Sequence, residues 1–445
     1  MRPTVYLLIA ILSIGLCRIQ GQGFNLSSSP NAGNGPHSVA AADINGDGKL
    51  DVICANYYDS TLVAFTNNGA GLFISNATYS VGSGANPNTV VAGDLNEDSA
   101  VDLVCANFTA RTVMVLTNTG IGSFALFRSY NVANTSAVIA DMNGDGWLDI
   151  VAGNDAGPSV VVLTNDSGRG FVQANANTVG FGPYSVAAVD LNGDGKPDIM
   201  SANLGATTLS VLTNNGDCTF TSEGNFSIGS GPSVVTAADL NGDGQPDLIG
   251  GVGGFSGSGT NLVILTNNGA SFGSNATYAV GTGPFGVAVA DLNGDGKPDL
   301  TTAGTHSSVL TVLTNNGDGT FKLAASPTSG SDSFSVVAAD INGDARLDLI
   351  AANFSSHNLS VLTNAIAFPT ASSSPILSIA RLSNGRRVFW PSSSAGWSLL
   401  QSPNLLNRWG PAGYSGYTIS DDGTNKSLFV PQQQPGPLFF RLAHP

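Results

Sequence analysis

A nine-residue pattern, Asp-x-Asn-x-Asp-Gly-x-x-Asp or a close variant of it, begins at Asp43, Asp94, Asp141, Asp190, Asp239, Asp291 and Asp340 of a 445-residue chain. Successive copies start 47–52 residues apart. So long and regular a period means one supersecondary unit repeated, each copy burying its apolar faces only against its neighbours. Inside every period the flanks read as strands. A run of small apolar residues precedes the loop, as in SVAAAD (38–43), SVAAVD (185–190) and GVAVAD (286–291), and a second run such as DLIAAN (348–353) follows it. A third strand, as in LSVLTNN (209–215), NLVILTNN (261–268) and LTVLTNN (310–316), ends on an Asn-Gly turn signal. A fourth opens at Phe220, Phe272 or Phe321.

Four strands per repeat, seven repeats and no helical period predict an all-β chain: a seven-bladed β-propeller of four-stranded blades over residues 24–368. Small side chains suit the first strands, which converge on the propeller axis. The last repeat finishes its third strand at Asn364 and reaches Pro369 without a fourth, while Phe24-Asn25-Leu26 stands before the first repeat as an orphan strand. Residues 24–30 are therefore expected to complete the seventh blade, so that no seam stays open to a stray strand. Charged residues make up only 11% of the chain, and 31 acids against 16 bases give a net charge of -15, which opposes a phosphate backbone and excludes nucleic acid as a partner.

The acidic loops carry the specific chemistry. A hard cation such as Ca²⁺ takes six to eight oxygens, and a tight turn presents them at alternate positions. In the first copy Asp43, Asn45, Asp47 and Asp51 offer side-chain oxygens and Lys49 its carbonyl, while Gly48 lets the backbone reverse. The loop resembles the opening of an EF-hand but lacks its closing Glu and joins strands rather than helices. Turn formation alone could explain one such loop; seven, each with Asp at its ninth position, point to metal. Most of the 31 acids sit in these loops, and seven divalent ions would nearly cancel the charge of -15. The second copy has Glu97 and Ser99 where others have glycine and the seventh has Ala345, so these two are expected to bind weakest.

The combination SVAAADxNGDGxxDLxxAN followed by LSVLTNNGDGTF resembles the FG-GAP or VCBS repeat family, whose best-known relative is the amino-terminal propeller of integrin α-subunits. The resemblance covers residues 24–368. It implies up to seven Ca²⁺ ions on one face and partner recognition by loops on the opposite face. It carries the ligand role onto the first, third, fifth, seventh and ninth residue of each copy. These are Asp43, Asn45, Asp47, Lys49 and Asp51; Asp94, Asn96, Asp98, Ala100 and Asp102; Asp141, Asn143, Asp145, Trp147 and Asp149; and Asp190, Asn192, Asp194, Lys196 and Asp198. The remaining copies give Asp239, Asn241, Asp243, Gln245 and Asp247; Asp291, Asn293, Asp295, Lys297 and Asp299; and Asp340, Asn342, Asp344, Arg346 and Asp348.

The opposite-face loops join second and third strands, and Tyr57, Tyr58, Phe108, Arg111, Phe255 and Phe354 are the side chains in them suited to a protein or glycan. For any one of these aromatics, packing between blades is the reading the sequence favours. His306 and His357 lie in neighbouring repeats without a third imidazole and are not expected to be catalytic. Cys54 and Cys105 occupy equivalent repeat positions and read as small buried filler.

The ends complete the plan. Arg2, the apolar stretch Val5–Leu16 and the small-polar region to Gly23 have the layout of a secretory signal peptide, residues 1–23, too short to span a bilayer. Secretion or display at the cell surface, with no transmembrane span after signal removal, is expected. A Pro/Ser/Ala linker at 369–375 leads into residues 376–445, where short strands suggest a small β-sandwich with Trp390, Trp397 and Trp409 as candidate core. That segment resembles the immunoglobulin-like or fibronectin-like carboxy-terminal modules of secreted bacterial proteins. The expected function is a calcium-binding adhesion or ligand-binding module rather than an enzyme. The alternative is a calcium-dependent polysaccharide lyase, for which Lys49, Lys196 and Lys297 are locked inside the acidic loops and no Gly-x-Ser-x-Gly elbow exists.

Overall fold

The computed structural model describes residues 23–132, 135–254, 259–269 and 271–366, and beyond them the strands between 378 and 443. The proposed signal peptide up to residue 22, the linker, Phe255, Trp397 and Trp409 lie outside the described residues. Two compact units are present, the first ending at Ile366.

The first unit is a ring of seven four-stranded antiparallel sheets. Blade 1 runs Pro36–Ala42, Asp51–Asn56, Thr61–Asn67 and Phe73–Ser80, and the later blades repeat this order. Blade 7 takes Ser333–Ala339, Asp348–Asn353 and Asn358–Asn364 from the end of the unit and its outer strand, Phe24–Ser28, from the beginning. Phe24 pairs with Asn364 and Leu26 with Leu362, and Phe24 is buried. The ring is thus closed by the orphan strand, as its position in the sequence predicts.

Burial explains the strand chemistry. The second and third strands are covered on both faces by neighbouring blades, so they read as continuous apolar runs rather than alternating ones. Seven hydrophobic clusters fill the spaces between blades. One joins Ile53, Leu62 and Ala64 of blade 1 to Leu103, Met114 and Leu116 of blade 2, and another places Phe24 against Leu349 and Leu292. Outer strands alternate because only one face is covered. Innermost strands meet around the axis and need small residues: a Cβ on Gly286 would lie 2.9 Å from Ser335 Cα of the adjacent blade.

The second unit holds two antiparallel sheets. One orders Ser378–Leu382, Gly385–Pro391, Asn425–Pro431 and Ile419–Asp421, and the other Gly410–Pro411, Ser398–Ser402 and Phe439–Ala443. Among the described residues no helix is long and apolar enough to cross a membrane.

Candidate functional site

The two faces of the propeller carry different chemistry. Each acidic loop follows an innermost strand and so lies on one face. Its first Asp accepts from the loop's own backbone: Asp43 Oδ1 from Gly46 and Asp47 N–H at 2.8 and 3.2 Å, and Oδ2 from Gly48 N–H at 2.7 Å. Asn45 accepts from Asp47 N–H and Asp47 from Lys49 N–H, at 2.8 and 3.0 Å. Gly48 has φ 80. The two divergent copies keep this frame, with Ser99 and Ala345 held at φ 70 and 63 and their N–H groups donating to Asp94 and Asp340 at 2.8 Å. A Cβ costs about 1 kcal/mol in that region.

The second and ninth positions face inward. Asp51 is fully buried; its Oδ2 accepts from Ile44 N–H and its Oδ1 from Asn67 N–H. Burial pushes the carboxyls of Asp102, Asp149 and Asp348 up to about 6; each accepts two N–H bonds that oppose the rise, and the loop's other aspartates add to it. The apolar second residue plugs the space between blades, and its carbonyl accepts from the Asn that ends the third strand of the next blade. Asn67 Nδ2 reaches Ile341 O at 2.7 Å, Asn118 reaches Ile44 O at 2.8 Å, and Asn165, Asn214, Asn267, Asn315 and Asn364 repeat the bond around the ring. From the sequence alone this Asn reads as a turn residue. Its signal was the Ile, Leu or Met at the second position of every loop, a buried plug inside an otherwise polar turn.

The loops fit a hard cation in donor chemistry. Side-chain oxygens stand at alternate positions, and an oxygen that accepts one N–H keeps a second lone pair. Their arrangement is not a finished cage: among the described residues no three His, Cys, Asp or Glu side chains gather as a metal site. Side chains at the first and fifth positions would have to rotate toward an ion.

On the opposite face, aromatic side chains of several blades surround the axial opening. The residue after the second strand supplies Tyr57, Phe108 and Phe354, and the start of the innermost strand supplies His37, Tyr184, Phe285 and Phe334. Ring centroids stand 4.5 Å apart for His37 and Phe334, 4.9 Å for Phe334 and Phe354, 5.1 Å for Tyr58 and Phe354 and 6.3 Å for Tyr57 and Phe108. Together they line a bowl of about 250 Å³ whose floor continues into an axial cavity of about 180 Å³. The loop aromatics therefore do pack across blades, and they also present ring surface to a common space. Tyr58 is 58% exposed.

The polar groups of the floor satisfy one another. His37 Nδ1 lies 2.8 Å from Asn88 O, a carbonyl that can only accept, so Nδ1 carries the proton and Nε2 accepts from Tyr184 Oη at 3.3 Å. Asn88 Nδ2 donates to Thr135 O. Burial lowers the His37 pKa to about 4, so the imidazole is neutral at physiological pH. His306 and His357 instead sit in left-handed turns, where Asp332 accepts from His306 N–H and His357 Nδ1 accepts from Gly35 N–H at 3.3 Å. Cys54 and Cys105 are buried free thiols whose pKa values burial raises, in keeping with filler.

Comparison with known proteins agrees with the fold. The FG-GAP-like repeat pattern matches residues 43–105, 94–152, 141–201, 190–250, 252–302 and 300–351, and the FG-GAP repeat pattern matches 230–271. Among solved structures, a crystal structure of BBS1N in complex with ARL6DN, soaked with lead, superposes with a TM-score of 0.54 at 13% identity, covering 78% of this chain and 98% of that one. The same complex soaked with mercury gives 0.55 and 13%, covering 79% and 98%. At that identity the likeness is one of fold alone. No curated protein matches in sequence. The repeat pattern spans most of the chain, which belongs to the FG-GAP-like repeat family.

Proposed function

We propose that the chain is a secreted or cell-surface binding module, without catalysis of its own, that takes a protein or glycan ligand at the aromatic bowl and carries Ca²⁺ at the acidic loops of the far face. The observation that carries this reading is the bowl itself: half-buried rings from separate blades share one concave space, the arrangement expected of a ligand site. Loops at one end of a rigid scaffold vary without cost to the fold, which suits recognition.

Ca²⁺ at the acidic loops would neutralise carboxylates that crowd one turn. The side chains of the first, third and fifth positions and the carbonyl of the seventh are the proposed donors; the ninth Asp holds the loop ends to the sheet. At an affinity of about 0.1 mM and about 1 mM calcium, each site adds roughly 1.4 kcal/mol.

The binding half is tested by capture of extracellular proteins and glycans with the wild-type chain and a Tyr57→Ala/Phe354→Ala variant. Ligand retained equally by both refutes the bowl as the site. The calcium half is tested by thermal melting, and equal midpoints in EDTA and in millimolar calcium refute it.

A further inference from the structure

We propose that the bowl is selective for a methylated ammonium group, the cationic head of choline or of trimethyllysine, held by the ring faces of Tyr57, Tyr58, Phe108 and Phe354 and matched in charge by Asp155. This rests on the bowl being the ligand site and specifies its chemistry.

The first support is positional. Asp155 follows Asn154 as Tyr57 follows Asn56, Phe108 follows Asn107 and Phe354 follows Asn353, so blade 3 places a carboxylate where three other blades place a bowl ring. Its Oδ1 is enclosed by protein and accepts no hydrogen bond. Burial raises the Tyr57 and Tyr184 phenols in pKa, and the Asp155 charge adds a smaller rise at both, acting from beside the bowl rather than from its lining.

The second support is the chemistry left over for a ligand. A sugar needs directional partners for its hydroxyls, yet His37, Asn88 and Tyr184 are already bonded to each other or to backbone. A primary ammonium carries three N–H donors that would each need an acceptor. A trimethylated nitrogen has none, and is bound by ring faces and an unspent negative charge alone. The surrounding face agrees in sign. Asp59 and Asp332 are engaged by backbone N–H groups of Asn34 and His306, Arg111 is the one Lys or Arg in the loops between second and third strands, where His306 and His357 are the other basic side chains, and His37 adds no positive charge.

The test is calorimetric titration of the full chain with choline, phosphocholine and trimethyllysine, beside the uncharged alcohol in which carbon replaces the choline nitrogen. The cations should bind about tenfold or more tighter than the alcohol. Their order assigns the source as a headgroup or a modified side chain. Asp155→Asn should weaken choline about tenfold and leave the alcohol unchanged. Tyr57→Ala should abolish both, with Tyr58→Ala as substitute if the first variant fails to fold. Equal binding of choline and the alcohol, or indifference of choline to Asp155→Asn, overturns the proposal. If no cation binds while ligand capture still depends on Tyr57 and Phe354, the ammonium assignment alone falls. If capture is indifferent to those residues too, the bowl reading falls with it.

Discussion

Asn67 and Asn68 are neighbours of identical composition with very different predicted worth. Asn67 is buried; its Nδ2 donates to Leu50 O of its own blade at 2.9 Å and to Ile341 O of blade 7 at 2.7 Å, and its Oδ1 accepts from Gly69 N–H at 2.9 Å. Asn68 is exposed and accepts from Ala70 and Leu72 N–H groups, which water can serve instead. Asn67→Ala removes three bonds of about 1 kcal/mol each and strands the buried Ile341 carbonyl, for a loss of about 3–4 kcal/mol. Asn67→Asp should cost at least as much, because it turns an oxygen toward two carbonyls where a donor stood. Asn68→Ala should cost under about 1 kcal/mol. Urea unfolding of the full chain, read as a shift in midpoint at constant slope, gives all three values. If Asn67→Asp is tolerated, or the two alanine variants are equal, the interblade latch is not a stabilising element.

The remaining predictions concern the ring seam, a strained loop and the bowl floor. Phe24→Ala should cost about 3–5 kcal/mol, because Phe24 fills the cluster between blades 6 and 7, and deletion of residues 24–28 should cause aggregation through the bared Asn358–Asn364 edge; light scattering unchanged from that of the full chain argues against closure by this strand. Ala345→Gly should raise stability by up to about 1 kcal/mol by relieving φ 63, and a loss of stability in urea would contradict that strain. The His37 pKa is about 4 in the fold against 6.5 for the ordinary residue, so its contribution is present above pH 6.5 and is lost as the unfolded chain takes up a proton between 6.5 and 4. The difference between wild type and His37→Gln should therefore shrink over that window by roughly 3 kcal/mol, and a difference independent of pH would refute the buried neutral imidazole.

The fold was legible because its signals are periodic. Seven spaced loops, β-type flanks and an unpartnered strand at Phe24 predict the ring and its closure without any contact being known. The latch was not, since Asn67 in the string TNNG looks like a turn residue and its partner Ile341 lies at the other end of the repeats. The bowl was half legible. Tyr57, Phe108 and Phe354 could be found as loop aromatics, whereas His37, Tyr184, Phe285 and Phe334 sit at the starts of strands, and only the ring geometry brings the two sets to one space. For the second unit the structure gives two sheets.

Comparing the repeats with one another separates the two faces physically. The ninth Asp of each loop and the Asn ending each third strand are the same in all seven copies, and the second position is always Ile, Leu or Met. Each of these groups is buried, and each Asn bonds a neighbouring blade, so a change in one copy leaves a buried partner unsatisfied in the next. The residue at the axial opening obeys no such rule: it is His37, Asn88, Ser136, Tyr184, Ser233, Phe285 and Phe334 in turn. Its side chain borders the axial cavity, and where it is polar its partner differs from copy to copy: His37 donates to Asn88 O, Asn88 to Thr135 O and Ser233 to Pro284 O. The same reasoning places Asp155 among ring-bearing equivalents. Freedom from a bond common to all seven copies is what allows that position to be set by a ligand, and it means that a substitution in the bowl costs stability only through its own local partners, as at His37, whereas one in the latch breaks a bond that every blade repeats.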